Sequence, residues 1–216
     1  MPKKSSEYVL RLASTMVAIP IVVFCVLSKA PFFPVLWLCL YGLSLQEWKK
    51  ITQNSANHMA RNLGYVYINI ACFYLLYLGQ NQNHFLLSLL VLVWAADIFA
   101  FFIGRLLKGP KLAPRISPNK TISGALGGLF GAVSSIYLLK DLWDPQILSY
   151  VNGNFFVIVI GLCLISQAGD LLESYVKRKL EIKDSGAFLP GHGGILDRLD
   201  SLFAVSFVLV LWEIIR

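Results

Sequence analysis

Asp170, Glu173, Ser174, Lys177 and Arg178 recur at i, i+3, i+4, i+7 and i+8 in the stretch LISQAGDLLESYVKRKL, 164–180. On a helix this spacing makes one polar stripe. The stripe begins with Asp170, deep in an apolar run, and ends in cations. A solvated helix end with snorkelling side chains accounts for Lys177 and Arg178. It does not account for Asp170, which sits deeper and is followed by two leucines. Further on, HGGILDRLDSLF, 192–203, sets Asp197, Asp200 and Ser201 on one helical face, just after His192, Gly193 and Gly194. If the glycines close the loop back, Asp197 approaches Asp170. Two carboxylates at a membrane–water boundary repel each other unless a cation lies between them. Mg²⁺ suits such oxygen ligands and takes substrate phosphates to complete its shell.

A third polar element is GRLLKGPKLAPRISPNKTISG, 104–124, with cations at Arg105, Lys108, Lys111, Arg115 and Lys120. Pro110, Pro114 and Pro118 argue against a helix and for a stiff, ordered loop. Topology alone would need only charge. This loop also has turns carrying hydroxyls around Ser117 and Lys120, as a phosphate cradle would. Gly124, Gly127, Gly128 and Gly131 then allow the following helix to pack closely on a neighbour. One more ionisable residue, Asp97, lies within an apolar run eight positions before Arg105. An intramembrane charge usually faces a polar cavity, and this pair is expected to line one, although an ion pair with another helix would also place Asp97.

The elements that must position these groups are membrane helices. The 216-residue chain is 56% hydrophobic and 14% charged, with a mean hydropathy of +0.65. A soluble domain could not cover that much apolar surface. Seven runs, at 9–28, 31–46, 63–79, 85–104, 121–139, 154–174 and 200–215, approach the roughly 20 residues that cross a hydrocarbon core. They are continuous rather than alternating, which excludes a β-barrel. The fold expected is therefore an all-α, polytopic membrane bundle of about seven spans. The first run is too long for a signal-peptide core and reads as a retained helix.

With seven spans, the 19 Lys and Arg residues divide 16 to 3 between the two sides. The rich side holds the N-terminus and the loops 47–62, 105–120 and 175–199, and is expected to be cytoplasmic. The net charge of +7 thus reflects topology rather than nucleic-acid binding. Cys25, Cys39, Cys72 and Cys163 all lie in apolar runs with no metal-site spacing, and read as small hydrophobic fillers. No repeat or second soluble domain is visible. The chain reads as one domain over 1–216, with N-terminal spans in 1–84 and the chemistry in 85–216. Carboxylates for a metal, cations for phosphates and lateral access to lipid point to metal-dependent phosphoryl or nucleotidyl transfer onto a lipid phosphate.

The segment SYVKRKLEIKDSGAFLPGHGGILDRLD, 174–200, resembles the signature of the phosphatidate cytidylyltransferases. Its fixed elements are present as Ser174, Lys177, Arg178, Lys183, Asp184, His192, Gly193, Gly194, Asp197, Arg198 and Asp200. So many fixed polar positions at set spacing make a specific match. The resemblance extends over roughly residues 94–205, through SQAGDLLES and KLAPRISPNKT. Asn119 stands where family members usually carry Lys, and Ser123 where they carry Glu. The chain is also shorter than typical members by one or two N-terminal spans.

The resemblance implies transfer of CMP from CTP to phosphatidate, giving CDP-diacylglycerol and pyrophosphate. It implies an active site near the cytoplasmic surface; the short, compact chain points to a bacterial inner membrane, with an organelle membrane as the alternative. Asp170 and Asp197 would hold Mg²⁺, with a second cation left open. Lys177, Arg178, Lys183 and Arg198 would share the triphosphate, and Lys120 with Arg105 the lipid phosphate. Asp184, Asp200 and Ser174 would orient these groups, and His192 would donate to phosphate or simply shape the turn. A homodimer is compatible with such a bundle. Two other readings use the same residues: a CTP-dependent polyprenol kinase, and an ion-coupled transporter using Asp97, Arg105 and Asp170. The transporter lacks paired broken helices or a repeat.

Overall fold

The computed structural model describes residues 2–28, 30–53, 57–139, 154–182, 184–186 and 193–215. Among them are seven helices and one short hairpin: α1 (Pro2–Ser28), α2 (Phe32–Thr52), α3 (His58–Asn81), α4 (Asn83–Leu107), β1 (Lys111–Ala113), β2 (Ser117–Thr121), α5 (Ile122–Leu139), α6 (Phe155–Lys179) and α7 (Leu196–Ile215). Each expected apolar run falls almost wholly within one helix. Four helices, α3 to α6, are long and apolar enough to cross a membrane, and α1 carries a shorter apolar stretch over Thr15–Ser28. Large apolar side chains stand exposed along them, Leu138 at 77% and Phe102 at 65% among them. Helices that leave such surface uncovered need lipid around them, and satisfy their own backbone polar groups there.

The chain folds as two compact units, each visited twice. One comprises residues 1–83 and 176–199, the other 84–175 and 200–216.

In the first unit, α2 and α3 pack through buried Phe33, Trp37, Ile68, Ala71, Leu75 and Leu78. Trp37 donates its indole N–H to the Cys72 carbonyl at 2.8 Å, and Trp48 donates to the Arg61 carbonyl at 3.0 Å. Buried indole N–H groups need such partners. Helix α3 starts where the Asn57 side chain accepts from the Ala60 N–H at 2.9 Å, a regular N-cap.

In the second unit, α5 crosses α4 closely. Gly124, Gly127, Gly128 and Gly131 are all buried, as their spacing suggested. A Cβ on Gly128 would lie 2.9 Å from the Ala96 carbonyl, and one on Gly124 at 2.8 Å from the Ala100 carbonyl. Larger side chains would push the helices apart. Helix α6 meets α7 at Gly169, where a Cβ would stand 3.1 Å from the Asp200 carbonyl and 3.4 Å from the Ser201 Cα. The cysteines are free thiols; Cys25, Cys72 and Cys163 are buried as expected, whereas Cys39 is exposed.

The segment read as a stiff loop is more regular than that. β1 and β2 pair antiparallel, with Lys111 opposite Thr121 and Ala113 opposite Ser117. The prolines do not prevent it. Pro114 lies in the turn, and a two-stranded ribbon has an outer edge on each strand where a missing N–H costs nothing. Helix α4 ends at Lys108 and Gly109, both with positive φ. The hairpin is then fastened at its base, Ile122 N–H to the Pro110 carbonyl at 3.0 Å, and the Ser123 hydroxyl to the Lys108 carbonyl.

Candidate functional site

Two ion pairs join expected site residues, one in each unit. In the second unit, β2 delivers Lys120 and α6 delivers Asp170, and the ammonium meets the Asp170 carboxylate. Lys120 is placed by the residue that follows it. Thr121 closes the strand and caps α5, its hydroxyl accepting from the Gly124 N–H at 3.0 Å, so the hairpin's last residues have one fixed exit. Asp170 is placed by Gly169 at the close α6–α7 crossing. Both partners keep about a third of their side chains exposed, 30% and 31%. Polar groups from solvent or substrate can reach them.

In the first unit, Lys177 at the end of α6 donates to Asp197 Oδ1 at 2.7 Å. This pair is far more enclosed, with side chains 13% and 7% exposed. Asp197 stands in the first turn of α7, where a negative charge suits the helix dipole. Its Oδ2 accepts from the Gly194 N–H at 2.9 Å and from the Ser185 N–H at 3.1 Å. Gly193 adopts φ +81, and a Cβ there would lie 2.7 Å from Asp197 Oδ2. Gly193 and Gly194 thus lie against the Asp197 carboxylate.

The remaining expected residues fall as follows. Arg178 is exposed and donates to the Ile182 carbonyl at 3.3 Å. Asp184 and Arg198 are exposed, and Ser174 and Ser117 half-buried. Asp200 accepts from the Ser201 N–H at 2.6 Å. Asp97 and Arg105 are both exposed on α4, and the Arg105 guanidinium stands 6.0 Å over the Phe101 ring. Lys183 and His192 lie outside the described residues. The structure therefore joins Lys120 to Asp170, and Lys177 to Asp197, each within its own unit.

One carboxylate at this site escaped the sequence reading. Glu47, near the end of α2, is 9% exposed. It accepts from the Ser185 hydroxyl at 3.1 Å and from the Ile195 and Leu196 N–H groups at 3.0 and 2.9 Å. The available signal was an acid set among apolar residues in LSLQEW, 43–48. It lies far from every motif in sequence, so its partners could not be read.

Among the described residues, no three His, Cys, Asp or Glu side chains gather. A protein cage for a metal is thus not what these residues offer. They do fit Mg²⁺ held in the open manner, by one or two carboxylates with the rest of its shell from water and phosphate. Asp170 offers accessible oxygens. Asp197 offers Oδ1, the oxygen facing the Lys177 ammonium, while Oδ2 belongs to the loop. In both cases a cationic side chain now neutralises the charge that a metal cation would.

Charged side chains set among helices long and apolar enough to cross a membrane place the chain among integral membrane proteins. Comparison with known proteins narrows the class. Residues 57–215 match the model of the cytidylyltransferase family, and the chain belongs to that family. It is 36% identical to the phosphatidate cytidylyltransferase of Rickettsia conorii, over 98% of this chain and 94% of that protein. It is 38% identical to the phosphatidate cytidylyltransferase of Rickettsia bellii, over 96% and 91% respectively. A phosphatidate cytidylyltransferase of Brucella abortus is 51% identical over 57% of this chain and 44% of its own length.

Proposed function

We infer that this protein is a phosphatidate cytidylyltransferase: it transfers CMP from CTP to phosphatidate, releasing pyrophosphate and leaving CDP-diacylglycerol in the bilayer. Family membership is joined by one observation that carries the reading. The signature's acid, Asp197, is held on both oxygens by Lys177, Ser185 and Gly194, so a cation and two backbone N–H groups of the signature segment are gathered at the start of α7. All of 1–216 acts as one enzyme of seven spans, with the N-terminus and site facing the cytoplasm of a bacterial inner membrane. The 16-to-3 division of basic residues supports that orientation.

The chemistry needs no strong base, because the phosphatidate oxygen is already anionic. That oxygen attacks the α-phosphorus of CTP, the bond to the bridging oxygen breaks, and pyrophosphate leaves with the electron pair. Catalysis is then positioning and charge neutralisation. Lys177, Arg178, Lys183 and Arg198 bind the triphosphate and neutralise the leaving group. Lys120, with Arg105, receives the lipid phosphate. Asp184, Asp200 and Ser174 orient their neighbours. Asp170 and Asp197 would offer carboxylate oxygens to Mg²⁺, which would lower the charge on the phosphate oxygens.

Detergent-purified protein given CTP carrying a labelled cytosine and phosphatidate should move the label into the lipid phase, with one pyrophosphate released per lipid formed. Cytidine that stays wholly aqueous in the presence of folded protein and lipid would overturn the reading.

A further inference from the structure

Helix α7 begins with a problem of its own sequence. The first N–H groups of a helix have no partner inside it, and a Ser, Thr, Asp or Asn usually supplies one. Here the position is Ile195, whose carbonyl accepts the Leu199 N–H at 3.1 Å and whose side chain has no oxygen. Glu47 supplies the cap instead, from 148 positions away, taking the Ile195 and Leu196 N–H groups. The Ser185 hydroxyl completes its set at 3.1 Å.

The signature's small residues make room for this carboxylate. A Cβ on Gly186 would overlap the Glu47 carboxyl group, and one on Gly194 would overlap both Glu47 and the Ser185 hydroxyl. Two carboxylates thus divide the backbone N–H groups of one segment. Glu47 takes Ile195 and Leu196, while Asp197 takes Ser185 and Gly194. Neither can shift without dragging the other's partners. Resting on the cytidylyl-transfer reading above, we propose that Glu47 is a positioning residue for the reaction. It fixes the start of α7 and so holds the Asp197–Lys177 pair in the orientation that the nucleotide's phosphates meet.

The charge and both oxygens matter for this role. Glutamine keeps the bulk but has one acceptor oxygen, and its NH₂ would face donors. The start of α7 would then move by a fraction of an ångström, and displacements of about 1 Å at a reacting centre can cost on the order of 100-fold in rate.

The test is steady-state kinetics on the full chain in detergent, varying CTP and phosphatidate separately, for the wild type and for Glu47→Gln, Glu47→Asp and Ser185→Ala. Glu47→Gln is expected to lower kcat/KM for CTP by about 10- to 100-fold, with KM for phosphatidate within about twofold of wild type. Glu47→Asp should recover part of the loss, and Ser185→Ala, which removes one bond of the set, should fall in the same direction by about threefold. Glu47→Gln with wild-type constants for both substrates would overturn the proposal. So would a variant whose thermal midpoint drops while the surviving protein keeps a wild-type kcat and KM for CTP, because that is a purely structural role. If Glu47→Gln does not fold, Ser185→Ala alone decides on the same constants. A folded wild type that transfers no CMP removes the reading of function, and this proposal with it; an active wild type with unchanged variants counts against Glu47 alone.

Discussion

Lys177 Nζ and Asp197 Oδ1 lie 2.7 Å apart, closing twenty positions of chain with an ion pair that is almost enclosed. Removing one partner of such a pair leaves an uncompensated charge, at a cost of about 3–5 kcal/mol. Replacing charge by an isosteric amide is gentler on the fold and harsher on the chemistry. Asp197→Asn should therefore insert and extract like wild type yet lose activity by on the order of 100-fold or more. Wild-type turnover in that variant would remove Asp197 from the reaction.

The second pair predicts a coupling. Lys120 and Asp170 touch within one unit, and residues in contact do not act independently. Asp170→Asn should lower kcat by on the order of 100-fold, while Lys120→Met should chiefly raise KM for phosphatidate. The double variant should lose less than the product of the two single losses. Strict multiplication of the effects would show that the contact has no bearing on catalysis.

Gly194 has two reasons to be glycine, the Ser185 hydroxyl and the Glu47 carboxyl group, both of which a Cβ would overlap. Gly194→Ala should lower the thermal midpoint and cut activity, whereas alanine at Gly161 or Gly42, where nothing lies within 4 Å of the added carbon, should do neither. Thermal unfolding in detergent alongside activity measures both. Equal behaviour of the three variants would contradict the packing account.

Much of this was legible in the sequence because membrane helices announce themselves by apolar length. The runs at 63–79 and 85–104 lie inside α3 and α4, and 121–139 lies inside α5 but for its first residue, since lipid leaves the backbone no other way to satisfy itself. The glycines of α5 were readable for a similar reason, as small residues at helical spacing are interfaces. Asp170 stood out by depth, and Asp197 by its spacing after two glycines. Three things were not legible. The hairpin at 111–121 depends on pairing between strands, where the prolines pointed only to a stiff, non-helical loop. The Lys120–Asp170 contact spans fifty positions, which no local periodicity reports. Glu47 caps a helix that begins 149 positions after it, so no capping pattern could include it.

The proposed use of Mg²⁺ predicts a metal requirement. A cation held by one or two carboxylates, with water and phosphate for the rest of its shell, should bind reversibly. Chelation by EDTA should abolish transfer, excess Mg²⁺ should restore it fully, and the helical circular dichroism should not change in either step. Undiminished transfer after chelation would contradict the metal assignment.

The most direct measurement follows phosphorus. Folded protein with phosphatidate, Mg²⁺ and CTP is assayed twice, once with label on the α-phosphate and once on the γ-phosphate. Cytidylyl transfer predicts α-label in the lipid fraction and γ-label released as pyrophosphate. Label from the γ-position entering a lipid, with the α-label left in aqueous CDP, would contradict it.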